Sequence, residues 1–201
     1  MSIWSWAGNS AEYIAWHESG HAAAYWALDI PLAYVTIVGR GQQDRPHVQP
    51  VDVKQGTKGQ KVLIGASGVI AGFIHNGQRV TATGIVELLV GSADGHFELQ
   101  GVYSGAVNRL PRDPLFAPGE DLERVRPEGA ENAFTPDRAI TFWRDCERFV
   151  LQVAPFIEAI APPLLRHGTL EGKEVSRLAA SAMAGRAGAR RPLPAPGWTA
   201  E

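Results

Sequence analysis

The chain has 201 residues, enough for one domain with a sizeable core and short for two. Its hydrophobic share of 45%, charged share of 20% and formal charge of −2 describe an ordinary globular protein. They give no electrostatic reason to expect a nucleic acid or an anionic membrane surface as partner. The single cysteine, Cys146, can form neither an internal disulfide nor a thiolate metal site, which fits a reducing compartment.

The N-terminal MSIWSWAGNSAEY lacks the basic and apolar regions of a secretory signal. Residues 10–28 read as a helix: Asn9 can cap it, Glu12 follows three residues later as in a capping box, and Ile30-Pro31 closes it. Residues 33–38, AYVTIV, are β-branched and apolar and predict a short strand. A return strand is expected around 47–53, pairing with the first in a small hairpin.

A second helix is expected over 59–75, where Gly65, Gly68 and Gly72 lower helix propensity and allow another helix to approach closely. Its apolar stretch, 62–74, is the longest in the chain and too short to cross a bilayer, so a soluble cytoplasmic protein without a membrane span is expected. Further helical stretches are expected at about 81–90 and 92–110. Residues 111–134 are rich in Pro, Gly and acidic groups and predict a long surface loop. Thr135-Pro136-Asp137 opens a helix that should run to about 153. A separate helix over 155–167 should stop at Gly168, and Thr169 should cap a last one ending near 184. Composition makes 186–201 a disordered tail, leaving 1–185 as one domain.

The segment His17-Glu18-Ser19-Gly20-His21 has the H-E-x-x-H pattern. Residues four apart on a helix share a face, so both imidazoles can reach one ion. Zn²⁺ suits them: it accepts nitrogen ligands and keeps a position for water in catalytic sites. Glu18 lies beside that open position rather than on the metal. It can take a proton from water and pass it to a leaving amine. The same pattern also arises on surface helices with two solvated histidines. The apolar surroundings, with Ala15, Trp16, Ala22, Ala24 and Tyr25, argue instead for a half-buried motif.

The stretch YIAWHESGHAAAYWALDIPLAYVTIVGRG resembles the start of the peptidase domain of the FtsH-type (M41) zinc metallopeptidases. That family carries H-E-x-G-H-A on a helix, a loop with proline, and a V-T-I or V-S-I strand. Far downstream, APFIEAIAPPLLRHGTLEGKEVSRL resembles the family's closing segment, in the right order. The resemblance implies a mainly helical array around the H-E-x-x-H helix with a small β-hairpin. It implies a zinc endopeptidase with Glu18 as catalytic base and His17 and His21 as ligands. The family's third ligand is an aspartate in a G-A-x-N-D-L context, which matches Asp94 within Gly91-Ser92-Ala93-Asp94-Gly95-His96-Phe97-Glu98. Because Asn-Asp-Leu is not intact, His96 and Glu98 stand as substitutes. The acidic pair of the family's G-R-x-A-E-E run is also absent from Gly68-Val69-Ile70-Ala71-Gly72-Phe73.

FtsH-type proteases carry an ATPase module, and this chain contains no G-x-x-x-x-G-K-[ST] sequence. Peptides or already unfolded proteins are therefore the expected substrates, with a separate ATP-dependent unfoldase as a partner for folded ones. An extended substrate would pair with the edge of the strand at 34–38. The competing readings are a zinc-containing peptide-binding module that does not cut, and a helical domain with a vestigial motif. Metal content separates the last from the others, and a cleavage assay separates the first two. His75 reads as a solvated helix cap and His47 as a loop residue. Cys146, between acidic neighbours, makes a poor nucleophile. Trp4, Trp6, Trp16 and Trp26 read as packing anchors.

Overall fold

A computed structural model describes residues 10–38, 46–82, 85 and 136–184. The described residues form four helices and a three-stranded antiparallel sheet. In chain order these are α1 (Ala11–Ala27), β1 (Leu32–Thr36), β2 (His47–Pro50), α2 (Lys58–His75), α3 (Pro136–His167), β3 (Thr169–Glu171) and α4 (Gly172–Met183). Expectations for 92–110, 111–134 and 186–201 lie outside the described residues. So does most of the expected helix at 81–90, where the Ile85 N–H donates to the Thr81 carbonyl over helical spacing.

α1 is the centre of the fold, and its composition explains why. Between Tyr13 and Ala24 only Trp16 is less than fully buried, so the helix has no solvent face. Ala15, Ser19, Gly20 and Ala22 to Ala24 make half of this stretch small, and small side chains let α2 and α3 close in. Ser10, not Asn9, caps α1: its side chain accepts from the Tyr13 N–H. At the other end the Ile30 N–H reaches back to the Tyr25 carbonyl and the Asp29 N–H to that of Trp26, a Schellman closure. That closure puts Asp29 at φ 58, where a glycine is usual.

A prediction follows from the exposed position of Asp29. Left-handed backbone costs an L-residue roughly 1–2 kcal/mol, less for Asp than for most. Glycine removes that cost but loses more entropy on folding, about 0.5–1 kcal/mol. Asp29→Gly should therefore stabilise the protein by about 0.5 kcal/mol and raise Tm by about 1–2 °C. A lower Tm would mean that the Asp29 side chain contributes more than its backbone costs.

α2 carries a full capping box, with Thr57 accepting from the Gln60 N–H and the Gln60 side chain accepting from the Thr57 N–H. Gly68 and Gly72 make the expected close approach. A Cβ on Gly72 would stand 2.6 Å from the Tyr13 ring, and one on Gly68 would overlap the His21 ring. From the other side, a Cβ on Gly20 would stand 2.6 Å from both Ala71 Cβ and the Ser67 carbonyl oxygen.

The helices expected at 135–153 and 155–167 are one continuous α3. Proline inside a helix costs about 3 kcal/mol. The buried stripe Phe149, Val150, Val153, Phe156, Ile157, Ile160 and Leu164 keeps its spacing of three and four across Pro155. Each such side chain contributes about 1.5–3 kcal/mol on burial, and the stripe as a whole outweighs Pro155, Pro162 and Pro163. The Leu151 residue, whose carbonyl would have bonded the missing N–H, is exposed. By length and apolarity the stretch Ala139–His167 could also cross a membrane, which the shorter 62–74 could not. Its apolar stripe is packed into the core, where Phe156 meets Trp26 and Trp143 meets Phe73.

The expected hairpin of β1 and β2 is present, and a third strand extends it. β1 lies between β2 and β3, antiparallel to both, in the order β2-β1-β3. The strand expected at 33–38 spans 32–36, and the one expected at 47–53 ends at Pro50. Thr169 does not cap the last helix but starts β3, where its hydroxyl lies 2.8 Å from that of Thr36. Gly168 closes α3 at φ 73 with its N–H on the Leu164 carbonyl, and its own carbonyl accepts from the Ile37 N–H. Glu171 is the N-cap residue of α4. The adjoining Gly172 packs so tightly on β1 that a Cβ there would collide with the Leu32 carbonyl.

Candidate metal centre

His17, Glu18 and His21 all lie on α1 and are more deeply set than the expected half-buried motif, at 2%, 4% and 7% exposure. The two imidazoles converge. His17 Nε2 and His21 Nε2 are 3.0 Å apart, with the ring planes at 83°. His21 Nδ1 lies 2.7 Å from the carbonyl oxygen of Ile64 on α2. A carbonyl only accepts, so Nδ1 carries the hydrogen and donates it. In neutral His21 this leaves Nε2 as a lone pair aimed at its neighbour. Such a hydrogen bond at the far nitrogen is the usual way a protein orients a ligating histidine.

These residues fit a zinc ion. Two nitrogens bonded at about 2.0–2.1 Å in tetrahedral geometry stand about 3.3 Å apart, close to the spacing of the two Nε2 atoms. Neutral imidazole is a preferred zinc donor. Asp94, and with it His96 and Glu98, lies outside the described residues. Among the described residues no group of three His, Cys, Asp or Glu side chains gathers to hold a metal.

The other candidates have different engagements. His75 is not a solvated cap. Its ring stacks on Trp16 at 4.3 Å and 11°, and Nε2 is 3.5 Å from a Glu12 carboxylate oxygen. Burial lowers its pKa, and the Glu12 charge offsets part of that effect. His47 is the first residue of β2, and its Nε2 bonds the Tyr34 hydroxyl at 3.0 Å. Cys146 is fully buried, and burial first, then the Asp145 charge, pushes its thiol well above the usual range. It has none of the thiolate character a nucleophile needs. Trp16 and Trp26 do serve as packing anchors. Trp4 and Trp6 fall outside the described residues.

Sequence reasoning missed the Ile64 carbonyl, because a backbone acceptor has no residue signature. It also placed an extended substrate on β1, but both edges of β1 are already taken. Only β2 and β3 are outer strands of the described sheet. No protein-family model matches this chain, and no curated protein sequence matches it.

Proposed function

We propose that the protein is a zinc-dependent endopeptidase, related to the FtsH-type (M41) peptidases, that hydrolyses peptides or unfolded proteins. The observation that carries this reading is the convergence of His17 Nε2 and His21 Nε2 beside Glu18 on a buried helix. Two histidines kept as solvated surface residues would have no need of that arrangement, and Asp94 completes the ligand set on this reading. When bound, zinc supplies a Lewis acid that polarises the scissile carbonyl and acidifies water.

The chain's own residues do the rest. His17 and His21 would hold the ion. The Glu18 carboxylate accepts a proton as the water oxygen attacks the carbonyl carbon. It then delivers that proton to the amide nitrogen as the C–N bond breaks, yielding an acid and an amine. Burial excludes bulk water, which strengthens each charge interaction in the site. Substrate would add as an extended segment along an outer strand of the sheet. A separate unfoldase would be needed for folded substrates.

The test is direct. Purified protein should contain one zinc per chain and should cut denatured casein in a chelator-sensitive manner. Absence of zinc, with none taken up on addition, would overturn the metal reading. One zinc without cleavage of any unfolded substrate would instead favour a non-cutting peptide-binding module or a missing unfoldase partner.

A further inference from the structure

The His21 imidazole is pressed against α2, and two features of α2 receive it. The Ile64 carbonyl takes the Nδ1–H at 2.7 Å. One turn later, Gly68 leaves open the space the ring occupies. A Cβ built there would overlap ring atoms Cε1, Nε2 and Cδ2 of His21. The three nearest atoms to that Cβ all belong to His21, so the ring is what a side chain there would meet first. Helix propensity would favour alanine over glycine at an interior helical position. The buried surroundings, with Val69 and Ile70 on one side and Ser67 on the other, give the glycine no turn or hinge to serve.

We propose that Gly68 and the Ile64 carbonyl form a seat on α2 that positions His21. The seat fixes the Nδ1–H tautomer and directs Nε2 at His17 Nε2 before any ligand arrives. Its purpose, though not its geometry, rests on the zinc reading above. α1 supplies the ligand, while α2 determines which nitrogen it offers and where. Gly68 is thus a positioning residue. Any side chain there would push the ring away from Ile64 and release it to other rotamers and to the other tautomer.

The test compares Gly68→Ala with Gly72→Ala in the full chain. Both wedge α1 from α2, but the second does so against Tyr13. Imidazole ¹⁵N–¹H correlation spectra of the metal-free protein report which His21 nitrogen carries the hydrogen. The wild type and Gly72→Ala should show Nδ1–H, and Gly68→Ala should lose it. Zinc affinity should fall about 10–100-fold in Gly68→Ala, the usual effect of losing a ligand's supporting hydrogen bond. Unchanged tautomer and affinity in Gly68→Ala would overturn the proposal. A wild type that binds no zinc yet loses the Nδ1–H signal in Gly68→Ala would keep the seat and remove the metal reading. If Gly68→Ala fails to fold, the double variant Gly68→Ala/His21→Ala decides. Recovery of folding once the ring is gone supports the seat, and continued failure to fold overturns it.

Discussion

Glu18→Gln should leave zinc in place while cleavage of denatured casein falls about 10²–10⁴-fold, toward the upper end of that range. Glu18 sits one residue from His17 and three from His21 on a regular helix, at 4% exposure. On the proposed reading, that position puts its carboxylate beside the metal's open position without making it a ligand. Glutamine keeps the size and loses the basicity, so it can neither accept the water's proton nor return it to the amine. The fold should survive, because glutamine matches glutamate in size and keeps an oxygen acceptor, and Tm of the metal-free variant should stay close to that of the wild type. The decisive measurements are metal content and initial cleavage rate on one preparation. A zinc-replete variant with undiminished cleavage would refute the assignment of Glu18 as base.

What the sequence made legible is what depends on near neighbours. The H-E-x-x-H helix, the opening of α3 at Pro136, the stop at Gly168 and the two strands around 33–50 are all written in residues a few positions apart. The glycines of α2 announced a close helix contact without saying with which side chains. What stayed hidden depends on distant partners. β3 is three residues long and exists because Thr169, Leu170 and Glu171 pair with β1. On its own, Thr169 reads equally well as a helix cap. Pro155 reads as a break until the apolar stripe on both sides is seen to pack continuously. At the site, His17, Glu18 and His21 were readable as a local motif, and their depth was not. The Ile64 carbonyl could not be read at all, since every residue carries one. A third metal ligand from another part of the chain, Asp94 on the present proposal, is a distant partner of the same kind.

His17→Ala and His21→Ala should each remove most of the rise in thermal stability that zinc gives the wild type. A ligand that binds only the folded state stabilises it by RT ln(1 + [L]/Kd), about 4 kcal/mol at a thousand times Kd. For a chain of this size that corresponds to a Tm increase of roughly 8–16 °C. On the proposed reading, removing either imidazole removes a coordinating atom, so zinc affinity should fall more than about 100-fold, beyond the loss expected for a supporting hydrogen bond alone. The two variants should differ without metal. His21→Ala also gives up the Nδ1–H bond to Ile64, worth about 1 kcal/mol, and empties the space over Gly68. Asp94→Ala belongs in the same series. Loss of the zinc-dependent rise would place Asp94 in the ligand set, and retention would pass that role to His96 or Glu98. The measurement is a set of melting curves with and without zinc, with chelator as control. If both histidine variants kept the full zinc-dependent rise, the ion would be binding elsewhere, and the buried pair on α1 would need another explanation.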